Sequence, residues 1–253
     1  MDTAQFDLWP GDETDHDAET PVQSTESVIT EIEPDAAWPH RQLVHLDDRQ
    51  CLSVHDKVLR ALALGTGQKW ARRDLARQCR ELETKCAQEA AIALLTRRSR
   101  SVADLGKRLR RKGFSASAWS AVIKRLTELR LLDDERFAVD LHETLLRRES
   151  LGRRAILDRM QREGLPRDLA MRVTEERTAD ETEAQRALEL ARKRLSRMSA
   201  IDPTKARQRV YGYLVRHGFS SGHAASAVKE ALAASADADV GSPADADAWD
   251  AGA

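Results

Sequence analysis

The residues best suited by type to do chemistry are Asp133, Asp134 and Glu135, three consecutive acids in the stretch LLDDERFA. Such a run could hold a divalent cation or supply a general acid and base. A plainer use is available. Acids at the start of a helix accept hydrogen bonds from its free amides and meet its positive dipole end, and RFAVDLHETLL just downstream has helical apolar spacing. The three acids are therefore read as a module junction. Other chemical candidates are weaker. The seven histidines are scattered, HExxH, GxSxG and Walker-type loops are absent, and GTGQK at 65–69 lacks the first half of a phosphate loop and reads as a turn. Cys51, Cys79 and Cys86 have spacings that match no common zinc or redox motif, which suits reduced thiols. No catalytic residue, metal ligand or cofactor is assigned, and a non-enzyme is expected.

The cations are more informative. In the helix expected from Ser101 to Lys112 the apolar stripe is Val102, Leu105 and Leu109, which leaves Lys107, Arg108, Arg110, Arg111 and Lys112 around the other side. Arg97, Arg98 and Arg100 precede them, and Arg153 and Arg154 continue the theme about one repeat later. These ten residues form the candidate contact set for a polyanion. Arginine outnumbers lysine among them, which suits forked contacts with phosphate or carboxylate. Aromatic residues add little to this reading. Phe114 and Phe219 read as core, Trp119 and Tyr211 fall near apolar positions of their helices, and Tyr213 is the more exposed tyrosine.

Charge is distributed unevenly. Residues 1–50 carry thirteen Asp and Glu against two Arg, and residues 235–253 carry five Asp and no Lys or Arg, so both ends read as disordered acidic tails. Between them, residues 51–234 hold 39 Lys and Arg against 24 Asp and Glu. A basic body calls for nucleic acid, an anionic membrane surface or an acidic protein surface as partner. The longest uninterrupted apolar run, AAIALL at 90–95, is far short of the roughly 20 residues of a spanning helix. The first forty residues contain no Lys or Arg, which a secretory signal would need at its start. A cytoplasmic location and no membrane partner are expected.

The elements that must position these cations are written in a repeat. LRRKGF at 109–114, MQREGL at 160–165 and LVRHGF at 214–219 share one pattern, and their glycines Gly113, Gly164 and Gly218 stand 51 and 54 residues apart. Four residues before each glycine is Leu109, Met160 or Leu214, and eight before is Leu105, Ile156 or Val210, a single helical stripe. Each glycine is expected to end a helix in the left-handed conformation, with a second helix following. Ser101 with Asp104, and Asp202 with Pro203, read as helix starts. Adding the apolar stretches upstream gives about three helices per unit. The expected fold is all-α: a disordered tail at 1–50, a helical lead-in at 51–88, three-helix repeats at 89–136, 137–183 and 184–234, and a disordered tail at 235–253. An elongated array is implied, since each repeat touches mainly its neighbours.

The runs ALLTRRSRSVADLGKRLRRKGF, VIKRLTELRLLDDERFA, LGRRAILDRMQREGL and YLVRHGF together resemble the bacterial regulatory protein family RecX over residues 89–232. The resemblance implies tandem three-helix repeats, no catalytic site, and binding to the filament that the RecA recombinase forms on DNA. It implies inhibition of recombinase, ATPase and coprotease activity in DNA repair and the SOS response. The expected partners are the RecA filament and single- and double-stranded DNA, met by a monomer. One departure stands out: where the family often has a glycine before the DDERFA segment, this chain has Arg130 and Leu131. An alternative reading is a stand-alone DNA-binding protein of helix-turn-helix type, since a glycine turn between two amphipathic helices with a basic face also outlines that motif.

Overall fold

The computed structural model describes residues 26–198 and 202–240. The chain divides into two compact units, residues 1–83 and 84–253. The expected acidic tails fall partly at 1–25 and 241–253, which lie outside the described residues.

The first unit corrects the all-α expectation. Strands β1 (Glu26–Pro34), β2 (Arg41–Leu46), β3 (Cys51–His55) and β4 (Lys69–Ala71), with helix α1 (Asp56–Ala61), precede the long helix α2 (Arg72–Arg97). The strands pair antiparallel in the order β3-β2-β1-β4. Residues 26–46, assigned to a disordered tail, thus form half of a sheet, and the lead-in at 51–88 is only partly helical. The physical reason is periodicity. Val44 and Leu46 alternate inward along β2, and Ile29 does the same in β1, while Glu26, Glu31 and Glu33 occupy exposed strand positions. Three of the acids that suggested a tail are thus exposed residues of a strand.

Ile29, Val44, Leu46, Val54, Val58, Leu64, Leu75 and Cys79 form the core of this unit. A buried ion pair crosses it: Arg41 donates to Glu83 at 2.7 Å and to the Ser53 hydroxyl at 2.8 Å, tying β2 and β3 to α2. Burial, reinforced by the Glu83 carboxylate, pushes the Cys79 thiol up to about 11 and keeps it protonated. The GTGQK stretch is a turn, in which Gly67 donates to the Ile29 carbonyl at 2.8 Å and Ile29 donates to that of Gln68 at 2.9 Å.

The second unit is helical where it is described. The end of α2 packs with α3 (Val102–Arg111) and α4 (Ala116–Glu128), α5 (Asp134–Glu149) with α6 (Arg153–Arg162) and α7 (Arg167–Arg177), and α8 (Asp180–Leu195) with α9 (Pro203–Arg216) and α10 (Ser221–Val240). Each trio encloses its own apolar cluster. Leu105, Leu109 and Phe114 anchor the first, Ile156, Met160 and Leu165 the second, and Val210, Leu214 and Phe219 the third. Residues 235–240 belong to α10, which corrects the start of the expected C-terminal tail.

The repeated phrase has a stereochemical cause. After α3, the Gly113 N–H bonds the Arg110 carbonyl and the Phe114 N–H bonds that of Leu109. Gly164 and Leu165 do the same to Gln161 and Met160, and Gly218 and Phe219 to Val215 and Leu214. This is the Schellman closure, which requires a left-handed residue and brings the apolar residue after the glycine onto the one four positions before it. The three glycines have φ of 85°, 88° and 86°. Arg130 closes α4 the same way with φ 53°, so this chain places arginine where a left-handed turn favours glycine. The longer second spacing accompanies a longer helix: α9 has 14 residues where α3 and α6 have 10.

The modules are joined end to end by polar contacts. The Ser101 hydroxyl, at the start of α3, donates to the Glu163 carbonyl at 2.6 Å at the end of α6. One repeat later the Gly152 N–H, at the start of α6, donates to the His217 carbonyl at 2.8 Å at the end of α9, and Arg154 N–H to that of Gly218 at 3.2 Å. Each helix start, with free N–H groups, meets a helix end with free carbonyls, and opposite dipole ends attract.

Candidate nucleic-acid interface

Two of the three acids are spent on helix starts and the third on an ion pair. Asp133 caps α5, accepting the Arg136 N–H at 3.0 Å, whereas Asp134 reaches back to accept the Val102 N–H at 2.9 Å. Glu135 pairs with Arg172 at 2.7 Å. Burial, with the neighbouring Asp133 carboxylate, raises the Asp134 pKa even though the Val102 N–H opposes it. Three carboxylates with three different partners do not converge on one ion. Among the described residues no group of three or more His, Cys, Asp or Glu is placed to hold a metal.

The ten candidate cations separate into two kinds. Arg100 is only 8% exposed, donating to the Leu94 carbonyl at 3.3 Å and to Asp104 at 2.7 Å. It brackets the end of α2 to the start of α3 and is withdrawn from the surface set. Its neighbours in sequence carry no warning of this, because the loop between α2 and α3 turns it inward. Arg108 also pairs with Asp104, at 2.9 Å. Burial alone would raise the Asp104 pKa, but hydrogen bonds from Arg108 and Arg100 overcome it and hold the carboxyl below its usual value. Arg153 is held by the Thr178 carbonyl and lies 3.7 Å from Glu183. Arg98 pairs with Glu163 at 2.9 Å.

Arg97, Lys107, Arg110, Arg111 and Arg154 are exposed, and their side chains make no hydrogen bond or ion pair among the described residues. Lys112 is exposed and engaged. The two modules' cations meet at Glu163, which Arg98 reaches from before α3 and Arg159 from within α6 at 3.9 Å. One carboxylate is therefore shared by arginines of both modules across the first joint. At Gly164 and Gly218 the absence of a Cβ lets the turn approach the next helix start, at Ser101 and Ala155.

Sequence reasoning missed a third basic surface. Helix α9 carries Lys205, Arg207, Arg209 and Arg216 and no acid between 203 and 216, and all four cations are exposed and unpaired among the described residues. The absence of any acid in fourteen residues was the available signal. The tyrosines are also exchanged relative to expectation. Tyr211 is 39% exposed, while Tyr213 is half-buried, with the Arg194 guanidinium 4.7 Å above its ring and the His217 ring 3.9 Å away. The buried stripe Ala206, Val210 and Leu214 carries Tyr213 on its flank and turns Tyr211 out.

Comparison with known proteins identifies this arrangement. Residues 87–126 match the family model described as RecX, first three-helix domain, and residues 181–228 that described as RecX, third three-helix domain. The chain is 32% identical to the regulatory protein RecX of Amycolatopsis mediterranei over 148 residues, which are 58% of this chain and 84% of that protein. The chain belongs to the RecX family. The RecX protein of Listeria monocytogenes is 26% identical over 203 residues, covering 80% of this chain and 75% of the relative. A crystal structure of regulatory protein RecX shares the fold with a TM-score of 0.56 at 22% identity, over 81% of this chain and 99% of that one. The RecX structure from Lactobacillus salivarius aligns with a TM-score of 0.55 at 20% identity, over 60% and 97%. RecX relatives are regulatory proteins by name, and among the described residues here no helix is long and apolar enough to cross a membrane.

Proposed function

We propose that this chain is a non-catalytic regulator that binds the RecA filament on DNA and inhibits its recombinase, ATPase and coprotease activities in DNA repair and the SOS response. It acts as a cytoplasmic monomer, through three-helix modules at 89–136, 137–183 and 184–234. The observation that carries this reading is the set of unpaired cations, Arg97, Lys107, Arg110, Arg111 and Arg154, on two modules joined through Ser101 and Glu163. Cations left without carboxylate partners repel one another, and a polyanion relieves that repulsion. Helix ends bonded to helix ends hold the modules in register, so several phosphates or carboxylates can be met at once with little ordering of the protein.

The test is RecA's single-strand DNA-dependent ATP hydrolysis, measured with this protein well below equimolar amounts. Strong inhibition is expected, because a regulator acting on a filament affects many protomers per bound chain. Unchanged hydrolysis, with tight binding to one duplex sequence, would replace the proposal with a helix-turn-helix DNA binder.

A further inference from the structure

We propose that the solvent side of α9 is a single-stranded DNA subsite, in which Tyr211 stacks on a base while Lys205, Arg209 and Arg216 hold phosphates. The inference rests on the reading that this chain works on DNA, and it adds a recognition element that charge alone does not provide.

The placement follows from the helix. With roughly 100° per residue, the buried residues Ala206, Val210 and Leu214 define the inward direction. Lys205, Arg209 and Arg216 then line one flank, and Arg207, Tyr211 and Val215 line the other. Tyr211 and Val215 are each 39% exposed, one turn apart, and none of the four cations has a partner among the described residues. A helix shaped only for solubility mixes both signs and gains from Glu–Lys pairs one turn apart. This one has no acid, and its ring stands beside Arg207 on the flank across from Lys205, Arg209 and Arg216.

Gln208 and Gly212 lie between the two flanks. A glycine inside an exposed helix costs about 1 kcal/mol relative to alanine. What it provides here is room for the Arg216 guanidinium, which lies 3.2 Å from where a Cβ on Gly212 would stand. A cation thus sits between the two flanks and can meet a chain with charge on one side and flat rings on the other. Single-stranded DNA has that construction. In a duplex the faces of the bases are stacked on one another and closed to Tyr211. Tyr213 cannot serve in its place, because its ring is already engaged by Arg194 and His217.

The test uses the full-length chain and fluorescence anisotropy with labelled oligothymidine, an abasic oligonucleotide of equal length and a duplex. Tyr211→Ala is expected to weaken oligothymidine binding at least about 5-fold, leaving abasic and duplex binding and the salt dependence unchanged. Tyr211→Trp is expected to restore binding. Arg209→Gln with Arg216→Gln is expected to lower the salt slope on oligothymidine by about 0.7 for each phosphate no longer neutralised. Tyr211 is exposed, so the variants should keep the parent's melting temperature and circular dichroism.

Failure of the wild-type chain to bind oligothymidine, or equal binding by Tyr211→Ala, would overturn the proposal. So would an equal loss on all three probes, or failure of Tyr211→Trp to restore. If the variants lost only RecA inhibition, the face would belong to an acidic protein partner and the proposal would fall. RecA ATPase assays on the same proteins separate this subsite from the filament reading. Inhibition without Tyr211-dependent binding removes the subsite alone, and Tyr211-dependent binding without inhibition removes the filament reading alone.

Discussion

The carboxylate of Glu183 accepts the backbone N–H of Arg153 at 2.9 Å, as Asp134 accepts that of Val102 at 2.9 Å one repeat earlier. Each acid stands in the first turn of a module's opening helix and caps the second helix of the module before it. Neither acid uses its neighbour in sequence as the partner. The joint is thus a capping interaction distributed over two modules, and it predicts that module stability is shared across the boundary.

Removing these caps should discriminate charge from hydrogen bonding. Asp134 has a raised pKa, so its ionised form is disfavoured in the fold, and stability falls as pH rises through the carboxylate range. Asp134→Asn keeps an acceptor oxygen without the charge and is expected to leave the urea midpoint at pH 7 unchanged or raised. Asp134→Ala is expected to cost about 1 kcal/mol. Glu183→Ala, at a site 3% exposed, should cost about 1–3 kcal/mol, because the Arg153 N–H loses its partner. Equal losses for Asp134→Asn and Asp134→Ala would refute the distinction.

The joint glycines should be far less tolerant than a free glycine of the same conformation. A Cβ on Gly218 would lie 2.3 Å from the Ala155 nitrogen, and one on Gly164 would lie 2.7 Å from the Ser101 hydroxyl. Gly67 has φ 82° with nothing within 4 Å, so alanine there bears only the backbone strain, about 1–2 kcal/mol. Gly218→Ala is expected to exceed Gly67→Ala by at least about 1 kcal/mol of unfolding free energy, and to speed amide exchange at the start of α6. Matching losses at the two positions would argue that the joint can yield.

Acid should loosen the second and third modules. His142 is 1% exposed, and its Nε2 lies 2.8 Å from the Thr178 hydroxyl. Burial first, then the nearby Arg186 and Arg177, hold its pKa below 6.5, against a smaller opposing effect of Glu143. A histidine kept neutral in the fold contributes stability that is fully present above its unfolded pKa and is lost as pH falls from there through the folded value. Urea midpoints should therefore drop below about pH 6.5, and His142→Gln should flatten that drop. An identical pH profile in the variant would place the acid sensitivity elsewhere.

The two kinds of cation should part under mutation. Arg110→Glu with Arg111→Glu is expected to reduce RecA inhibition and the salt dependence of DNA binding, with melting temperature within a few degrees of the parent. Arg100→Gln should do the reverse, costing about 1–3 kcal/mol because Asp104 and the Leu94 carbonyl lose a buried donor. Loss of inhibition from Arg100→Gln at unchanged stability would return it to the binding surface.

The helices from α3 onward were legible in the residues alone, because their signals are local. Leu109, Gly113 and Phe114 specify a Schellman turn within six positions, and the same pattern recurs at Gly164 and Gly218 with no knowledge of what lies beyond. The strands at 26–46 were not legible from charge. Net charge counts residues, whereas a strand is defined by which of them alternate inward, and Val44 and Leu46 found that side only once β1 and β3 were paired beside them. Arg97 and Arg100 belong to the same short basic run, yet one is exposed and the other is bonded to Leu94 and Asp104. Sequence determines how many cations there are and on which element they ride. Which of them remain available to a partner is decided by tertiary structure, since a cation is free or spent according to carboxylates and carbonyls brought beside it from elsewhere in the chain.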